Sequence, residues 1–119
     1  MALVLIVDDS PTEVHVIRTF LENNGFETDA ANDGEEGLAK ARHLKPDLVI
    51  MDIVMPGMNG YQATRELSKD PNTAGIPVLM VTTKGNETDR IWGLRQGAID
   101  YVVKPIDIDS LAAKIALLP

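Results

Sequence analysis

The sequence predicts an α/β domain: a three-layer, doubly wound sandwich in which five parallel strands lie between two layers of helices. Short apolar runs rich in Val and Ile alternate with segments of helical periodicity, and Gly, Pro, Asn or Asp mark the boundaries. The first, third and fourth runs are apolar on both faces, which is typical of parallel strands covered by helices. Because the crossovers between such strands are right-handed, the alternation predicts a doubly wound sheet.

The boundaries of the elements follow from the same pattern. The apolar runs predict five strands, at Leu3–Val7, Phe26–Ala31, Leu48–Met51, Val78–Val81 and Tyr101–Val103. The segments between and after them predict five helices, from Pro11 to a stop at Asn24-Gly25, from Gly34 to about Leu44, from Gly60 to about Lys69, from Asn86 to Gln96, and from Asp107 to Leu118.

The first helix has the clearest local signals. Ser10 is a good N-cap and Pro11 suits the first helical position, while Gly25 supplies a left-handed stop. The fourth helix has weaker signals, because Gly93 inside it costs about 1 kcal/mol relative to Ala. We expect only Ile91 and Leu94 to be buried there, and Trp92 to be partly exposed.

Composition limits the function. The 119 residues suffice for one domain, so residues 1–119 are expected to form a single unit without a second output module. No segment approaches the ~20 apolar residues of a membrane span, and the apolar start lacks a basic leader, so a cytoplasmic protein is expected. The absence of cysteine excludes thiolate metal sites and disulfides. The net charge of −7 argues against nucleic-acid binding and favours protein or metal partners.

Acidic and basic residues fall where predicted strands end. Asp8 and Asp9 follow the first strand and Asp52 follows the third, so three carboxylates are expected to converge at one edge of the sheet. Such a cluster would repel itself unless a cation binds, and an oxygen-lined site suits Mg²⁺. Thr82 and Lys104, at the ends of the fourth and fifth strands, are phosphate-binding groups at the same edge. A carboxylate beside these groups can act as a nucleophile toward a phosphoryl group, and we assign that role to Asp52.

Four motifs in the chain resemble the signature of receiver domains in two-component signalling. They are Val7-Asp8-Asp9-Ser10, Met51-Asp52-Ile53-Val54-Met55-Pro56-Gly57-Met58-Asn59-Gly60, Val81-Thr82-Thr83 and Lys104-Pro105. Each motif alone is weak, but four in this order at strand ends are specific, and together they span nearly the whole chain. The resemblance implies a flavodoxin-like strand order, 2-1-3-4-5, with ligands bound outside the carboxyl ends of the strands. It also implies a cis peptide before Pro105.

The resemblance further assigns roles to individual residues. Asp52 would accept phosphate from a histidine kinase of the chemotaxis type, and Thr82 and Lys104 would hold the phosphoryl oxygens. Mg²⁺, or Mn²⁺ in its place, would be bound by Asp9, Asp52 and the backbone carbonyl of Val54, with help from Asp8. Thr82 and Tyr101 would form a switch that alters the face made by the fourth helix, fifth strand and fifth helix, where an output protein would bind. The chain would be a monomer or a weak dimer.

Within that family, longer stretches resemble the single-domain regulators of type IV pilus (twitching-motility) chemotaxis-like systems. The stretches are residues 7–13, residues 52–65, and Trp92-Gly93 before Arg95-Gln96-Gly97-Ala98. The resemblance implies a protein that catalyses only its own phosphorylation and dephosphorylation. A phosphate sink and a phosphorylation-independent scaffold remain alternatives. A phosphatase of the haloacid dehalogenase kind would need an Asp-x-Asp pair, whereas Asp52 is followed by Ile53-Val54.

Other conspicuous residues have plainer interpretations. The methionines at positions 51, 55, 58 and 80 are expected to fill the core or pack under loops. His15 and His43 are expected to be surface residues. Val54 and Lys84 lie two residues after Asp52 and Thr82, positions that the resemblance connects with the rate of hydrolysis of an aspartyl phosphate.

Overall fold

A computed structural model of the chain describes residues 2–82 and 87–116, with the backbone alone for residues 87–90. The strands are β1 (Leu3–Val7), β2 (Glu27–Ala31), β3 (Leu48–Asp52), β4 (Val78–Thr82) and β5 (Asp100–Val103). The helices are α1 (Pro11–Asn23), α2 (Gly34–Leu44), α3 (Gly60–Lys69), α4 (Glu87–Gln96) and α5 (Ile108–Ala116). Lys84, the expected helix start at Asn86 and the expected helix end at Leu118 lie outside the described residues.

The five strands form one parallel sheet in the order β2-β1-β3-β4-β5, which confirms the expected order. Side chains alternate between its two faces. Ile6, Ile50 and Leu79 lie in register on one face and pack with α1 and α5, whereas Val7, Met51 and Met80 point to the other, which α2 and α3 cover. All residues of β3 and β4 are buried, as expected for strands covered on both sides. The three-layer sandwich is therefore confirmed.

Element ends differ from the expected ones by about a residue. β2 begins at Glu27 because the amide of Phe26 still donates to Leu21 O, 3.0 Å away, in the turn that ends α1. Gly25 has a φ of +87° in that turn, so it supplies the expected left-handed stop. The side chain of Ser10 caps the amino end of α1 by accepting from Glu13 N–H.

The expected burial in α4 is wrong. Ile91 and Leu94 are 42% and 37% exposed, whereas Gly93 is buried. A β-carbon at position 93 would lie 2.9 Å from the sulfur of Met80, so the helix rests on the sheet through the one residue that has no side chain. The larger side chains on either side of that contact therefore point outward.

Several plainer expectations are confirmed. Trp92 is 49% exposed, and its ring meets Tyr61 edge-on with 6.4 Å between the centroids. His15 and His43 are exposed, and the Lys104-Pro105 peptide is cis. Three of the four methionines named above are buried, at positions 51, 55 and 80. No helix in the described part of the chain is long and apolar enough to cross a membrane.

Candidate functional site

The carboxyl ends of four neighbouring strands converge at one edge of the sheet. Asp8 and Asp9 follow β1, and Asp52 is the last residue of β3. Thr82 is the last residue of β4, and Lys104 follows β5, with its amide donating to Thr82 O at 2.6 Å. Because parallel strands all end at the same side, residues distant in sequence become neighbours here.

Three carboxylates form a cluster at this edge. One oxygen from each of Asp8, Asp9 and Asp52 lies within 4.8 Å of the other two. Asp8 and Asp52 are buried, at 2% and 5% exposure, whereas Asp9 is exposed. The cluster is thus closed on the inner side and open to solvent at Asp9, which suits a ligand that enters from solvent and keeps some of its water.

Lys104 bridges the two buried carboxylates. Its Nζ lies 3.2 Å from Asp8 Oδ2 and 3.2 Å from Asp52 Oδ1. Burial alone would lower the pKa of Lys104, but the charges of Asp52 and Asp8 outweigh burial and raise that pKa above its usual value. The lysine therefore remains a cation at neutral pH.

Asp52 is the electrostatically unfavourable member of the cluster. Burial, and then the charge of Asp8, raise the pKa of its carboxyl from 3.8 to about 6, against the opposing effects of Lys104 and of the Ile53 amide. That amide donates to Asp52 Oδ1 at 3.0 Å. With all three carboxylates ionised, one ammonium leaves the site with two uncompensated negative charges. An all-oxygen donor set with this charge fits a hard divalent cation.

The backbone of Asp52 is held by the start of α3, a feature that the sequence analysis missed. A β-carbon at position 60 would collide with the carbonyl oxygen of Asp52, so only glycine allows this contact, and Gly60 N–H donates to Ile53 O at 2.8 Å. Asn59 and Gln62 form a reciprocal capping box that fixes the helix start. The Asn-x-x-Gln spacing was a readable signal of this cap.

The two expected switch residues lie on the adjacent strands β4 and β5, where Thr82 pairs with Val103 and Tyr101 pairs with Met80. Thr82 is buried, and Tyr101 is partly buried against the core cluster that contains Met80. Thr82 and Tyr101 line the same small, largely enclosed cavity, whose other walls include Gly93 and Leu94 of α4. A shift of either side chain would therefore change the cavity that α4 also lines.

Val54 is largely exposed, at 71%. It lies two residues after Asp52 in sequence, and its apolar side chain is exposed to solvent. The chain thus has no acid two residues after Asp52, as a phosphatase of the haloacid dehalogenase kind would require.

Comparison with known proteins gives a consistent result. A family model described as response regulator receiver domain matches residues 4–116. The chain is 56% identical over 115 residues to Protein PilH of Pseudomonas aeruginosa, covering 97% of this chain and 95% of that protein. It is 39% identical over 112 residues to the DNA-binding response regulator MtrA of Mycolicibacterium smegmatis, covering 94% of this chain but 48% of that protein. The chain therefore spans nearly all of the first relative and about half of the second.

Solved structures agree with the sequence matches. Chemotaxis protein CheY4 of Vibrio cholerae superimposes with a TM-score of 0.94 at 32% identity, covering 100% of this chain and 99% of that one. A putative response regulator from Chloroflexus aurantiacus superimposes with a TM-score of 0.93, also at 32% identity, over 98% of this chain and 96% of its own.

Proposed function

This chain belongs to the response regulator receiver domain family, and on that basis we propose that it accepts a phosphoryl group on Asp52 from a histidine kinase and transmits the signal through a protein surface. The observation that carries the proposal is the contact of Lys104 with both Asp8 and Asp52 at the carboxyl edge of the sheet. A buried carboxylate that contacts an ammonium and lies beside two further carboxylates able to hold a cation suits nucleophilic attack on phosphorus.

The donor set supports a divalent cation. Asp8, Asp9 and Asp52 would hold Mg²⁺, or Mn²⁺ in its place, together with the backbone carbonyl of Val54. When bound, the cation neutralises negative charge on the phosphoryl oxygens. Exposed Asp9 leaves a side open to water, in keeping with the preference of Mg²⁺ for several water ligands.

The residues of the chain then perform the transfer by position and charge. A carboxylate oxygen of Asp52 attacks phosphorus, the bond from phosphorus to the imidazole nitrogen of a phosphohistidine breaks, and the imidazole leaves with the electron pair. Lys104 Nζ, already beside Asp52, is in place to contact an oxygen of the transferred group. Thr82, at the end of the adjacent strand, would donate its hydroxyl to another oxygen.

The output would pass through Thr82 and Tyr101 to the face made by α4, β5 and α5. Movement of Thr82 toward a phosphoryl group changes the cavity that it shares with Tyr101 and α4. Apolar side chains of α4 and β5 are already exposed in this region, namely Ile91, Trp92, Leu94 and Val103. They offer an anchoring surface for an output protein.

The similarity to Protein PilH supports a role in chemotaxis-like control of type IV pilus (twitching) motility, since it extends over nearly the full length of both proteins. The kinase would then be of the chemotaxis type. Under this proposal the chain catalyses only its own phosphorylation and dephosphorylation.

Phosphorylation is tested directly by incubating the protein with acetyl phosphate and Mg²⁺ and measuring intact mass. One phosphoryl group should be gained, and Asp52→Asn should abolish the gain. Asp9→Ala should raise the Mg²⁺ concentration needed for phosphorylation. An unchanged mass, or labelling of the Asp52→Asn protein at the same rate, would refute the mechanism.

The output is tested by partner capture with and without beryllofluoride, an analogue of the phosphoryl group. A partner retained only by the beryllofluoride form, and lost with Trp92→Ala, supports signalling through this surface. Rapid phosphotransfer from the kinase with no beryllofluoride-dependent partner would instead indicate a phosphate sink. Equal capture in both forms would indicate a scaffold.

A further inference from the structure

The sheet has two open edges, formed by β2 and β5. An open edge presents backbone amides and carbonyls that can pair with a strand of another molecule, so proteins usually protect it. How this chain treats its edges bears on whether it self-associates, a property beyond the phosphorylation proposed above.

The hydrogen bonds of β2 show which of its residues face outward. Glu27 N–H donates to Ala2 O at 2.9 Å, and Asp8 N–H donates to Ala31 O at 3.0 Å. In a parallel pair, the residues that bond to the neighbouring strand alternate with those that do not. Residues 27, 29 and 31 therefore face β1, and the backbone groups of Thr28 and Ala30 point to the open edge.

Both outward groups of Ala30 are occupied by side chains. Its N–H donates to Asp29 Oδ1 at 2.7 Å, and its carbonyl accepts from Lys40 Nζ, on α2, at 2.6 Å. The ammonium also lies 3.2 Å from Asp29 Oδ1, so the carboxylate and the lysine hold each other in place. These two bonds replace those that an added strand would make to Ala30.

The opposite edge has a closely similar arrangement. Lys104 N–H donates inward to Thr82 O, so by alternation the amide of Tyr101, three residues earlier, points outward. That amide donates to Asp100 Oδ1 at 2.8 Å, and Asp100 Oδ2 pairs with Lys114 Nζ, on α5, at 2.8 Å. On both edges, an aspartate binds the amide of the next residue and a lysine from the covering helix holds the aspartate.

The two ion pairs are not explained by a contribution to the free energy of unfolding. The lysine and aspartate side chains are about a third exposed on each edge, and ion pairs in such positions contribute little. Asp29 is nevertheless held in its charged form: burial acts to raise its pKa, but the Ala30 amide and Lys40 outweigh burial and lower it. The feature common to the two ion pairs is that each lies on the outward backbone groups of an edge strand.

We propose that the Asp29–Lys40 and Asp100–Lys114 pairs close the two edges of the sheet and thereby prevent a second copy of this chain from adding edge to edge. A copy added at β5 would lie against the output face, so the cap on that edge also keeps the face accessible to its partner.

The β2 cap is tested with the double variant Asp29→Ala, Lys40→Met. The matched control is Asp70→Ala, Arg42→Met, which removes another α2 ion pair, 3.0 Å long, without touching a sheet edge. Both variants keep the net charge. Sedimentation velocity over a range of concentrations should show self-association of the first variant at least about tenfold tighter than that of the wild type or the control, since two backbone hydrogen bonds become available.

Association through β2 must be separated from association of misfolded protein. Adding Ala30→Pro to the double variant removes the outward amide at an edge position that tolerates proline, and should restore the wild-type mass. If the double variant stays as weakly associated as the control, or if Ala30→Pro leaves its association unchanged, the β2 cap is refuted. The double variant Asp100→Ala, Lys114→Met tests β5 in the same way, because it frees the outward amide of Tyr101 and keeps the net charge. A wild-type mass for that variant would refute the cap on that edge.

Discussion

Removing the charge of Asp52 should make the metal-free protein more stable. Burial of the carboxylate, and then the charge of Asp8, raise the pKa of Asp52 to about 6, and the opposing effect of Lys104 compensates for them only in part. Asparagine is neutral and nearly the same shape, and its amide oxygen can still accept from Ile53 N–H. Lys104 keeps Asp8 as its second partner, 3.2 Å away, so Asp52→Asn does not leave the ammonium alone.

The size of the effect follows from the pKa difference between the folded and unfolded states. A rise from 3.8 to about 6 is roughly two units, and each unit corresponds to about 1.4 kcal/mol. At pH 8 without metal, the folded protein therefore loses about 3 kcal/mol of its unfolding free energy through ionisation of Asp52. Asp52→Asn should recover most of this.

The pH dependence has a definite sign. Below pH 3.8 the carboxyl is protonated in both states, and the favourable contribution of the neutral form is fully present. As the pH rises toward 6, the unfolded chain releases its proton first, so the unfolding free energy falls through this window. The advantage of Asp52→Asn should accordingly shrink from about 3 kcal/mol at pH 8 to about half of that at pH 5.

The measurement is urea unfolding followed by far-UV circular dichroism, in EDTA at pH 8 and pH 5. Glu27→Gln, which neutralises an exposed acid on β2, is the control and should change the unfolding free energy by less than about 0.5 kcal/mol. Saturating Mg²⁺ should stabilise the wild type more than Asp52→Asn, because the cation loses a ligand in the variant. An Asp52→Asn protein that is less stable than the wild type at pH 8 in EDTA would refute the electrostatic argument.

Three further substitutions test local features of the fold. Thr64→Val should raise the unfolding free energy by about 1 kcal/mol in urea titrations, since the fully buried hydroxyl has no hydrogen-bond partner among the described residues; a loss would show that it is satisfied. Lys45→Gly should stabilise by about 0.5–1 kcal/mol in the same assay, because Lys45 ends α2 with a φ of +47°; a destabilised variant would contradict this. Gly60→Ala should slow phosphorylation by acetyl phosphate as well as lower the melting temperature, because a β-carbon collides with the backbone of Asp52; an unchanged rate would refute the positioning role.

The site was predictable because its residues directly follow segments with a clear strand pattern. Asp8 and Asp52 each follow an apolar run that reads as a buried strand, and parallel strands bring such ends together whatever lies between them in sequence. The strand order itself was not contained in the periodicity. It came from the resemblance of the motifs to a known family, and the sheet confirms it.

The features that sequence reasoning missed depend on contacts between distant elements. The packing of Gly93 against Met80 sets the orientation of α4. The apolar residues Ile91 and Leu94 therefore predicted the wrong buried face of the helix. The bonds of Asp29 and Lys40 to the edge of β2 join residues eleven positions apart across a strand and a helix. Neither arrangement leaves a periodic pattern, because each depends on how a helix rests on the sheet.

The contact between Gly93 and Met80 offers a route by which a small change at the candidate site could reach the face made by α4, β5 and α5. Met80 and Thr82 are two residues apart on β4, so Thr82 lies at the edge that carries the proposed phosphoacceptor, Asp52, while Met80 touches α4 at Gly93. Over residues 91–96, Gly93 is the one buried residue of α4, and the helix is further held by the Tyr61–Trp92 ring contact and by Ser68 Oγ donating to Gln96 O at 3.0 Å. We propose that α4 has alternative positions close in free energy, so that a modest bias at Thr82 would shift its population.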